Sequence, residues 1–417
     1  MSDTVVRQLQ EHLDSAPVVD CHEHTYLPGA GPDRVDLAVL IANSDVGDDM
    51  ISAGMPAALR QELTWSTAAP YLERVRNTGF YRSLIHAFRE LFGFDGDALT
   101  EDDWRTLSER LAAANGRHDW YEHVLGRGGI RTILRIQGDE ADPYDLPGPW
   151  FAPVIPFDPW IVARDAAERE RLCATVGGRG STLEGYLASL DAAVAGARSR
   201  GAVGVKSALA YRRDLAFGTP TLDEATRLYD RQSLSDAEAR ALEDFLVHAV
   251  AERAGAHGLP YQMHVGYGSW QRNIAYGANP LLLNPLIEAH RETRFVLLHG
   301  GYPFIGELAT MAKNHPNVYL ECGWLAYISP AAYRRAMGEW LDAVPANKLL
   351  AVGADCLHVE QTLGALLLTR RHLALALADK VSDGGWPMPL AEEVGRRLLA
   401  RNALELYELD EGGEPFD

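Results

Sequence analysis

The chain of 417 residues lacks the cysteine patterns of small metal and redox domains. Its four cysteines, Cys21, Cys173, Cys322 and Cys356, form no C-x-x-C pair, which excludes a zinc ribbon and a thioredoxin-type dithiol. An apolar run of 18 residues is also missing, and the N-terminal segment MSDTVVRQLQEHLDSAP has no signal-peptide core. We therefore expect no membrane association and a cytoplasmic location in which thiols stay reduced.

Basic residues are scarce, since 39 lysines and arginines stand against 58 aspartates and glutamates, for a formal net charge of -19. The charge is spread along the chain, without the clustered Lys and Arg that nucleic-acid binding requires. A small anionic substrate stays compatible with such a surface, because a local cationic pocket can lie within it. Hydrophobic residues make up 47% of the chain, enough for a large core, and we predict one domain over residues 1–417.

Eight short runs rich in Val, Ile and Leu are spaced along the chain. They are residues 17–22, 130–136, 150–157, 202–208, 259–265, 294–299, 317–322 and 348–354. Their low polar alternation is typical of strands covered on both faces, and helical patterns such as 182–200 and 235–254 lie between them. We predict an α/β fold, a (β/α)₈ TIM barrel. An open doubly wound sheet fits less well, because no Gly-rich phosphate turn follows the first run.

The first two predicted strands are separated by about a hundred residues, which is long for a barrel. Helical patterns at 80–93 and 100–116 and many aromatic residues fill this stretch. We predict a helical insertion over about residues 25–128. An insertion on the catalytic face of a barrel often shapes or covers the pocket. A helical subdomain for contacts between copies is an equal alternative, and we expect a homo-oligomer.

Five potential metal ligands stand at the ends of four of the predicted strands. They are His22 and His24 in VVDCHEH, His264 in LPYQMHVG, His299 in RFVLLHGG and Asp355 in KLLAVGAD. The C-terminal ends of barrel strands are where barrel enzymes carry their chemistry. Imidazole and carboxylate groups are ligands of first-row metals, so the shared position suggests one cation.

Strand alternation places His22 and His24 on one face of the first strand, towards the barrel interior, and Cys21 and Glu23 on the other. Each position has a simpler explanation when it is taken alone. A histidine at the end of one apolar run is more often a hydrogen-bonded core residue than a ligand. Asp355 alone is better explained as the N-cap of the next helix.

The order of these residues is similar to that of the amidohydrolase superfamily. Segments GVKSALAYRRDL (204–215), HVGYG (264–268), LLHGGYPFIGELATMAKNHPNVYLECG (297–323) and NKLLAVGAD (347–355) resemble the amidohydrolase-2 group. Within that group they are most similar to the amidohydrolase-like domain fused to glutamine synthetase in some fungal and plant proteins. The resemblance extends over roughly residues 17–25 and 120–408.

The resemblance implies a metal site and a division of roles. His22, His24, His264 and Asp355 would bind the metal, and His299 would be a further ligand or would polarise the substrate. Asp355 would also be the general acid and base. A divalent metal lowers the pKa of a bound water to about 7. The nitrogen-rich ligand set favours Zn²⁺, with Mn²⁺, Fe²⁺ and Ni²⁺ as alternatives.

Lys206, in GVKSA at the end of the fourth predicted strand, is a further candidate catalytic residue. In some superfamily members a lysine on this strand is carboxylated and bridges two metals. The GVKS context is more similar to members in which it contacts substrate, so we expect one metal rather than two. An unmodified lysine paired with a carboxylate such as Glu140 is the structural alternative.

Several residues beside the strand ends are candidates for binding substrate. They are Tyr211, Arg212, Arg135, Tyr267, Trp324 and His358. An arginine among them could hold a carboxylate through two hydrogen bonds, although a surface ion pair is the commoner role of any single arginine.

These features together predict a metal-dependent hydrolase that acts on an amide or lactone of a small, carboxylate-bearing substrate. The same ligands also suit a metal-dependent non-oxidative decarboxylase or a sugar-acid isomerase, and these stay as alternatives. A non-catalytic ligand-binding barrel is less consistent, because it would predict the loss of a ligand. The expected partner is a small molecule, not nucleic acid or a membrane.

Overall fold

The computed structural model describes residues 3–138, 142–269 and 276–409. Within them, eight parallel strands follow one another around a single sheet in chain order. They are β1 (Val18–Glu23), β2 (Ile130–Ile136), β3 (Phe151–Pro156), β4 (Gly204–Ser207), β5 (Tyr261–Met263), β6 (Phe295–Leu297), β7 (Val318–Glu321) and β8 (Leu349–Leu350). Each predicted run overlaps one of these strands, and the ends differ by at most two residues, except that β8 ends four residues before the end of the predicted run 348–354.

The sheet closes into a barrel at β1 and the segment that follows β8. Cys21 N donates to the carbonyl of Val352 at 3.0 Å, and Asp355 N donates to the carbonyl of His22 at 3.0 Å. The predicted TIM barrel is thereby confirmed. The seam also places the end of β1 directly beside Asp355.

Alternate strand positions divide into an inner and an outer set. Leu134, Val154 and Leu350 belong to one buried cluster that the C-terminal helix closes from below, and their outward neighbours pack under the surrounding helices. Cys21 packs in the inner cluster, contrary to the prediction that it faces away. The pairing of β1 with β2 is irregular between Asp20 and Glu23, so simple alternation fails there.

Helices surround the barrel, in four groups along the chain. Before β1 lies α1 (Asp3–Ser15), and between β1 and β2 lie α2 (Leu37–Ala42), α3 (Asp45–Ser52), α4 (Trp65–Val75), α5 (Gly79–Phe92), α6 (Glu101–Asn115) and α7 (Trp120–Gly128). Between later strands lie α8 (Asp158–Val162), α9 (Ala166–Ala174), α10 (Leu183–Ser199), α11 (Leu222–Tyr229), α12 (Asp236–Ala256), α13 (Asn284–Ala289), α14 (Ile305–Asn314), α15 (Leu325–Ile328) and α16 (Pro330–Ala343). After β8 come α17 (Val359–Ser382), α18 (Met388–Arg396) and α19 (Asn402–Tyr407). No helix in the described ranges has the length and apolar character needed to cross a bilayer.

Helices α2 to α7 form the insertion after the first strand, and those from α2 to α6 have a hydrophobic core of their own. This core continues into the barrel through Trp324, Tyr327 and Cys356. Helix α5 packs along α17. It begins after Thr78, whose hydroxyl accepts from the Tyr81 N–H, and ends at Gly93 in the left-handed conformation that glycine adopts readily. The insertion is therefore anchored to the barrel through α17, the helix that follows β8.

Candidate active site

Three of the predicted ligands meet at the seam of the barrel. One ligand atom from each of His22, His24 and Asp355 lies within 4.8 Å of the other two. The Nε2 atoms of both histidines are 3.4 Å from Asp355 Oδ1. Two ligand atoms about 2.1 Å from one tetrahedral ion are about 3.4 Å apart, so this spacing suits a shared metal. Asp355 does not cap the next helix, because α17 begins at Val359.

The ring of His22 is oriented by a hydrogen-bonded amide. Gln262 donates through Nε2 to the carbonyl of Cys21 at 2.8 Å, so its oxygen Oε1 faces His22 Nδ1 at 3.0 Å. Since that oxygen can only accept, Nδ1 carries the proton and Nε2 presents a lone pair. This lone pair points at a carboxylate oxygen of Asp355, and two acceptors that face each other are stabilised by a cation between them.

His264 and His299 lie beside this trio. His299 is fully buried, its Nε2 is 3.8 Å from Asp355 Oδ2, and neither ring nitrogen has a hydrogen-bond partner among the described residues. The His264 ring is 4.6 Å from the His299 ring. His264 Nε2 donates to the carbonyl of Tyr267 at 2.9 Å, which leaves its Nδ1 with the lone pair. We call these five residues, His22, His24, His264, His299 and Asp355, the strand-end cluster.

Burial sets the charge of this cluster. It lowers the pKa of the His264 imidazole to about 3, and it also lowers the pKa of His22 and of His299. Burial alone would raise the pKa of Asp355, but the surrounding imidazoles of His22, His299 and His24 hold it well below its ordinary value. Neutral imidazoles and an ionised carboxylate are the forms that bind a divalent metal, so the residues present fit such an ion.

Lys206 lies at the end of β4, next to the cluster. Its Nζ is 3.2 Å from His22 Nε2. Burial lowers the pKa of Lys206 to about 8, against the opposing effect of Asp355 and Asp158. The alternative partner Glu140 lies outside the described residues.

Buried carboxylates under the cluster hold its backbone in place, and the sequence did not predict this role. Glu321 accepts the N–H of His299 at 2.9 Å and that of Gly323. Asp20 accepts the N–H of His22 at 3.2 Å and that of Ala354 at 3.2 Å. Each carboxylate therefore ties together the backbone of two neighbouring strand ends.

Glu23 acts in the same way from the outer side of β1. It accepts the N–H of His24 at 3.0 Å and that of Cys356, and the hydroxyl of Thr362 donates to it at 2.8 Å. Burial raises the pKa of all three supporting carboxyls, to about 7 for Asp20, to about 8 for Glu321 and well above the ordinary value for Glu23. A signal for them exists in the sequence, since acidic residues are rarely fully buried in a strand without partners.

Two residues of the cluster have a backbone conformation that is uncommon for non-glycine residues. The φ angles of His299 and Asp355 are 64° and 53°. The left-handed region costs about 1–2 kcal/mol per non-glycine residue. The bonds from His299 N to Glu321 and from Asp355 N to the carbonyl of His22 hold this conformation, which aims both side chains at the same point.

A cavity of about 720 Å³ opens above the cluster. Its floor includes His22, His24, Lys206, His264 and Asp355. The opposite side is formed by the insertion and by the segment after β7. The apolar part of that side consists of Val46, Phe80, Leu84, Trp324 and Tyr327, which we call the aromatic wall.

The predicted substrate-binding residues divide between those that line this cavity and those that do not. Tyr211 and Trp324 line it. Arg135, Arg212, Tyr267 and His358 lie outside its described lining.

Contact of these four residues with substrate stays a prediction, and each has a different environment. Arg212 is exposed to solvent. Arg135 occupies an outward position on β2 and donates to the carbonyl of Thr25. Tyr267 packs against Trp324. His358 is buried against the ring of Tyr26.

Comparisons with known proteins agree with this geometry. The family model described as Amidohydrolase matches residues 158–409. Protein fluG of Emericella nidulans is 31% identical over 225 residues, which are 50% of this chain and 26% of that protein. The chain thus matches only about a quarter of the length of this curated relative.

Solved structures share the fold along nearly the whole chain. Glucuronate isomerase from Caulobacter crescentus has a TM-score of 0.80 at 19% identity, covering 100% of this chain and 96% of its own. Uronate isomerase from Thermotoga maritima has a TM-score of 0.77 at 15% identity, covering 98% of each chain. A proposed metal-dependent hydrolase from Lactobacillus casei has a TM-score of 0.68 at 19% identity, covering 96% and 97%. By its family match, its barrel and its ligand-bearing strand ends, the chain belongs to the amidohydrolase family of metal-dependent TIM-barrel enzymes.

Proposed function

We propose that the protein is a metal-dependent hydrolase that cleaves an amide or lactone of a small, carboxylate-bearing substrate. The observation that carries the proposal is the convergence of His22, His24 and Asp355 within 4.8 Å at the floor of a cavity. The lone pair of His22 Nε2 also faces Asp355 Oδ1 at 3.4 Å, and a divalent ion between these two acceptors would stabilise both.

The proposed metal is a single Zn²⁺ ion, bound by His22, His24 and Asp355, with His264 Nδ1 as a further ligand. When bound, such an ion lowers the pKa of water and polarises a carbonyl group. The ligand set of nitrogens and one carboxylate supports zinc over Mg²⁺ or Ca²⁺, which prefer oxygen ligands. The GVKS context of Lys206, which resembles superfamily members in which this lysine contacts substrate, supports one metal rather than two.

The side chains around the ion then divide the work of hydrolysis. Asp355 takes the proton of the attacking water on a carboxylate oxygen and delivers it to the leaving nitrogen or oxygen as the C–N or C–O bond breaks. His299, which has no other hydrogen-bond partner among the described residues, donates to the carbonyl oxygen as negative charge develops on it. Lys206 Nζ binds the substrate carboxylate, because it is a cation on the cavity floor.

Decarboxylation and sugar-acid isomerisation need the same ligands, so products must separate them. The two isomerase structures resemble this chain in fold at identities below one fifth. The aromatic wall favours a less polar substrate over a sugar acid, since the hydroxyl groups of a sugar acid would lose hydrogen bonds to water against Phe80, Leu84 and Val46.

The test is a product screen with protein that has been stripped and reloaded with zinc. The substrates are N-acyl amino acids, lactones, aromatic acids and hexuronates, and NMR follows amine or hydroxy-acid release, CO₂ loss and ketose formation. We expect amine or hydroxy-acid release that chelation abolishes and that His24→Ala lacks. Turnover that survives both changes, or CO₂ or ketose as the only product, would contradict the proposal.

A further inference from the structure

We propose that the aromatic wall binds an aryl group of the substrate, next to the bond that the strand-end cluster cleaves. This inference rests on the proposed function and narrows its substrate class to aryl-bearing amides and esters. The supporting observation is that side chains of the insertion complete the apolar side of the cavity.

The wall is a continuous surface that starts at the cluster. The rings of His299 and Trp324 are 4.9 Å apart and meet edge to face. Trp324 and Phe80 are 6.4 Å apart, and Phe80 meets Tyr327 at 5.3 Å, again edge to face. A substrate whose reactive carbonyl lies at the cluster would therefore place its neighbouring group against aromatic rings.

The polar groups behind the wall already have partners within the protein. Trp324 Nε1 donates to Asp45 Oδ2 at 3.1 Å, and the hydroxyl of Tyr327 contacts the Cys356 sulfur at 3.4 Å. A hydroxylated substrate would find few free partners on these side chains. An apolar group would lose nothing there and would remove apolar surface from water.

The arginine of the insertion that lines the cavity is held in the same way. Arg60 donates to Asp48 at 2.5 Å, to the carbonyl of Ala42 at 2.7 Å and to that of Ser44 at 3.1 Å. Its guanidinium is thus engaged by a carboxylate and two carbonyls. The large side chains of the aromatic wall therefore offer shape and apolar contact, although the insertion also lines the cavity with the uncharged polar residues Asn43, Ser44, Gln61 and Ser83.

The size of the cavity agrees with an extended substrate. Its volume of about 720 Å³ falls in the range of about 300–1,000 Å³ that drug-sized ligands occupy. A six-carbon acid bound at the cluster would leave the space beside Phe80 and Leu84 filled with water. An aryl group attached to the scissile carbonyl would fill it.

Binding of two hydroxamates to the zinc-loaded protein tests the inference without turnover. Acetohydroxamate and phenylacetohydroxamate share the chelating group and differ by the phenyl ring. Calorimetry should give the phenyl compound at least about tenfold higher affinity, because burial of an aromatic ring is favourable and ring pairs add to it. Glucuronate, as a polar probe, should bind more weakly than phenylacetohydroxamate.

Two matched variants test whether the higher affinity for the phenyl compound arises at the aromatic wall. Leu84 and Leu107 are each 2% exposed and belong to the same insertion core, but Leu84 lines the cavity whereas Leu107 does not. Leu84→Ala should remove most of the phenyl advantage. Leu107→Ala, which loses the same side chain from the same core, should keep it.

The outcomes separate this inference from the proposed function. Equal affinity for both hydroxamates, or the same loss in both leucine variants, overturns the aryl site and leaves the hydrolase proposal standing. No binding of either hydroxamate overturns both. The expected binding pattern without any hydrolysis in the product screen overturns only the proposed function.

Discussion

The two sides of the cavity are built on different physical principles. The barrel side is polar, and several hydrogen bonds fix its backbone. Asp20, Glu23 and Glu321 each accept N–H groups from two segments beneath the strand-end cluster. The insertion side is a packed hydrophobic core whose edge is exposed to the cavity as the aromatic wall.

Because of this difference, we expect the barrel side to fix the positions of the metal ligands and the insertion side to discriminate between substrates. Directional hydrogen bonds hold ligand atoms at fixed separations, which a metal site requires. Apolar packing tolerates changes of shape if volume is kept, so a wall of this kind can be altered without loss of the ligands opposite it. Variants on the barrel side should therefore change zinc affinity, and variants on the insertion side should change the affinity for an aryl-bearing probe.

The largest effect is expected from loss of a ligand. His24→Ala removes one of the three converging ligand atoms and should weaken zinc binding by more than about 100-fold, since loss of an outer-shell partner alone costs about 10–100-fold. Competition with a chelator measures this. His123→Ala, which changes an exposed histidine of the insertion, is the control and should bind zinc normally. Equal affinity in both variants would remove His24 from the site.

The second-largest effect is expected from loss of Glu321, a carboxylate that holds the backbone of the strand-end cluster. Glu321→Ala leaves the buried N–H groups of His299 and Gly323 without an acceptor, at about 1–3 kcal/mol each. We expect a loss of about 2–5 kcal/mol in the free energy of unfolding and about 10–100-fold in zinc affinity.

Glu321→Gln is the matched control for this position. Its amide oxygen can still accept one of the two N–H bonds, and the side chain keeps its volume, whereas its Nε2 is a donor and cannot accept the other. Its effect in urea denaturation and chelator competition should be clearly smaller. An alanine variant that binds zinc as tightly as the wild type would show that Glu321 does not position His299.

A smaller effect is expected where the two sides of the cavity meet. Trp324→Phe keeps a ring beside His299 but loses the bond to Asp45, so phenylacetohydroxamate affinity should fall a few-fold with little change for zinc. Trp340→Phe loses a comparable buried bond, to the carbonyl of Ile305, far from the cavity. Both should lose about 1 kcal/mol of stability, and only the first should affect the probe. A drop in zinc affinity for Trp324→Phe would mean that the two sides are not separable.

The smallest effect is expected from Arg212→Ala. Its side chain is exposed and outside the described lining of the cavity, so steady-state parameters should change less than twofold once a substrate is known. A tenfold rise in KM would restore Arg212 as a carboxylate-binding residue.

The sequence predicted those features that depend on residues close together in the chain. Apolar runs indicated the eight strands, and their ends indicated the ligand positions, because parallel strands in a barrel bring the same ends to one face. The supporting roles of Glu321 and Gln262 could not be predicted in this way. Glu321 bonds to the end of the neighbouring strand β6, and Gln262 bonds to His22 across the closed barrel, so neither contact is between residues close together in the chain.

The predictions for Arg212, Tyr267 and His358 rested on their closeness in sequence to a strand end. Loop residues do not follow strand alternation, so this closeness does not decide which side chains face the cavity. The aromatic wall was missed for a related reason. Aromatic content indicated a covered pocket, but Phe80 and Leu84 reach the cavity only because α5 is anchored along α17.

The central claim is that one metal ion binds where His22, His24 and Asp355 converge. Anomalous diffraction at the zinc edge from crystals of the zinc-loaded protein tests it directly. The predicted result is one peak per chain, bonded to His22 Nε2, His24 Nε2 and a carboxylate oxygen of Asp355. Two peaks bridged by a modified Lys206, or a single peak elsewhere on the chain, would contradict it.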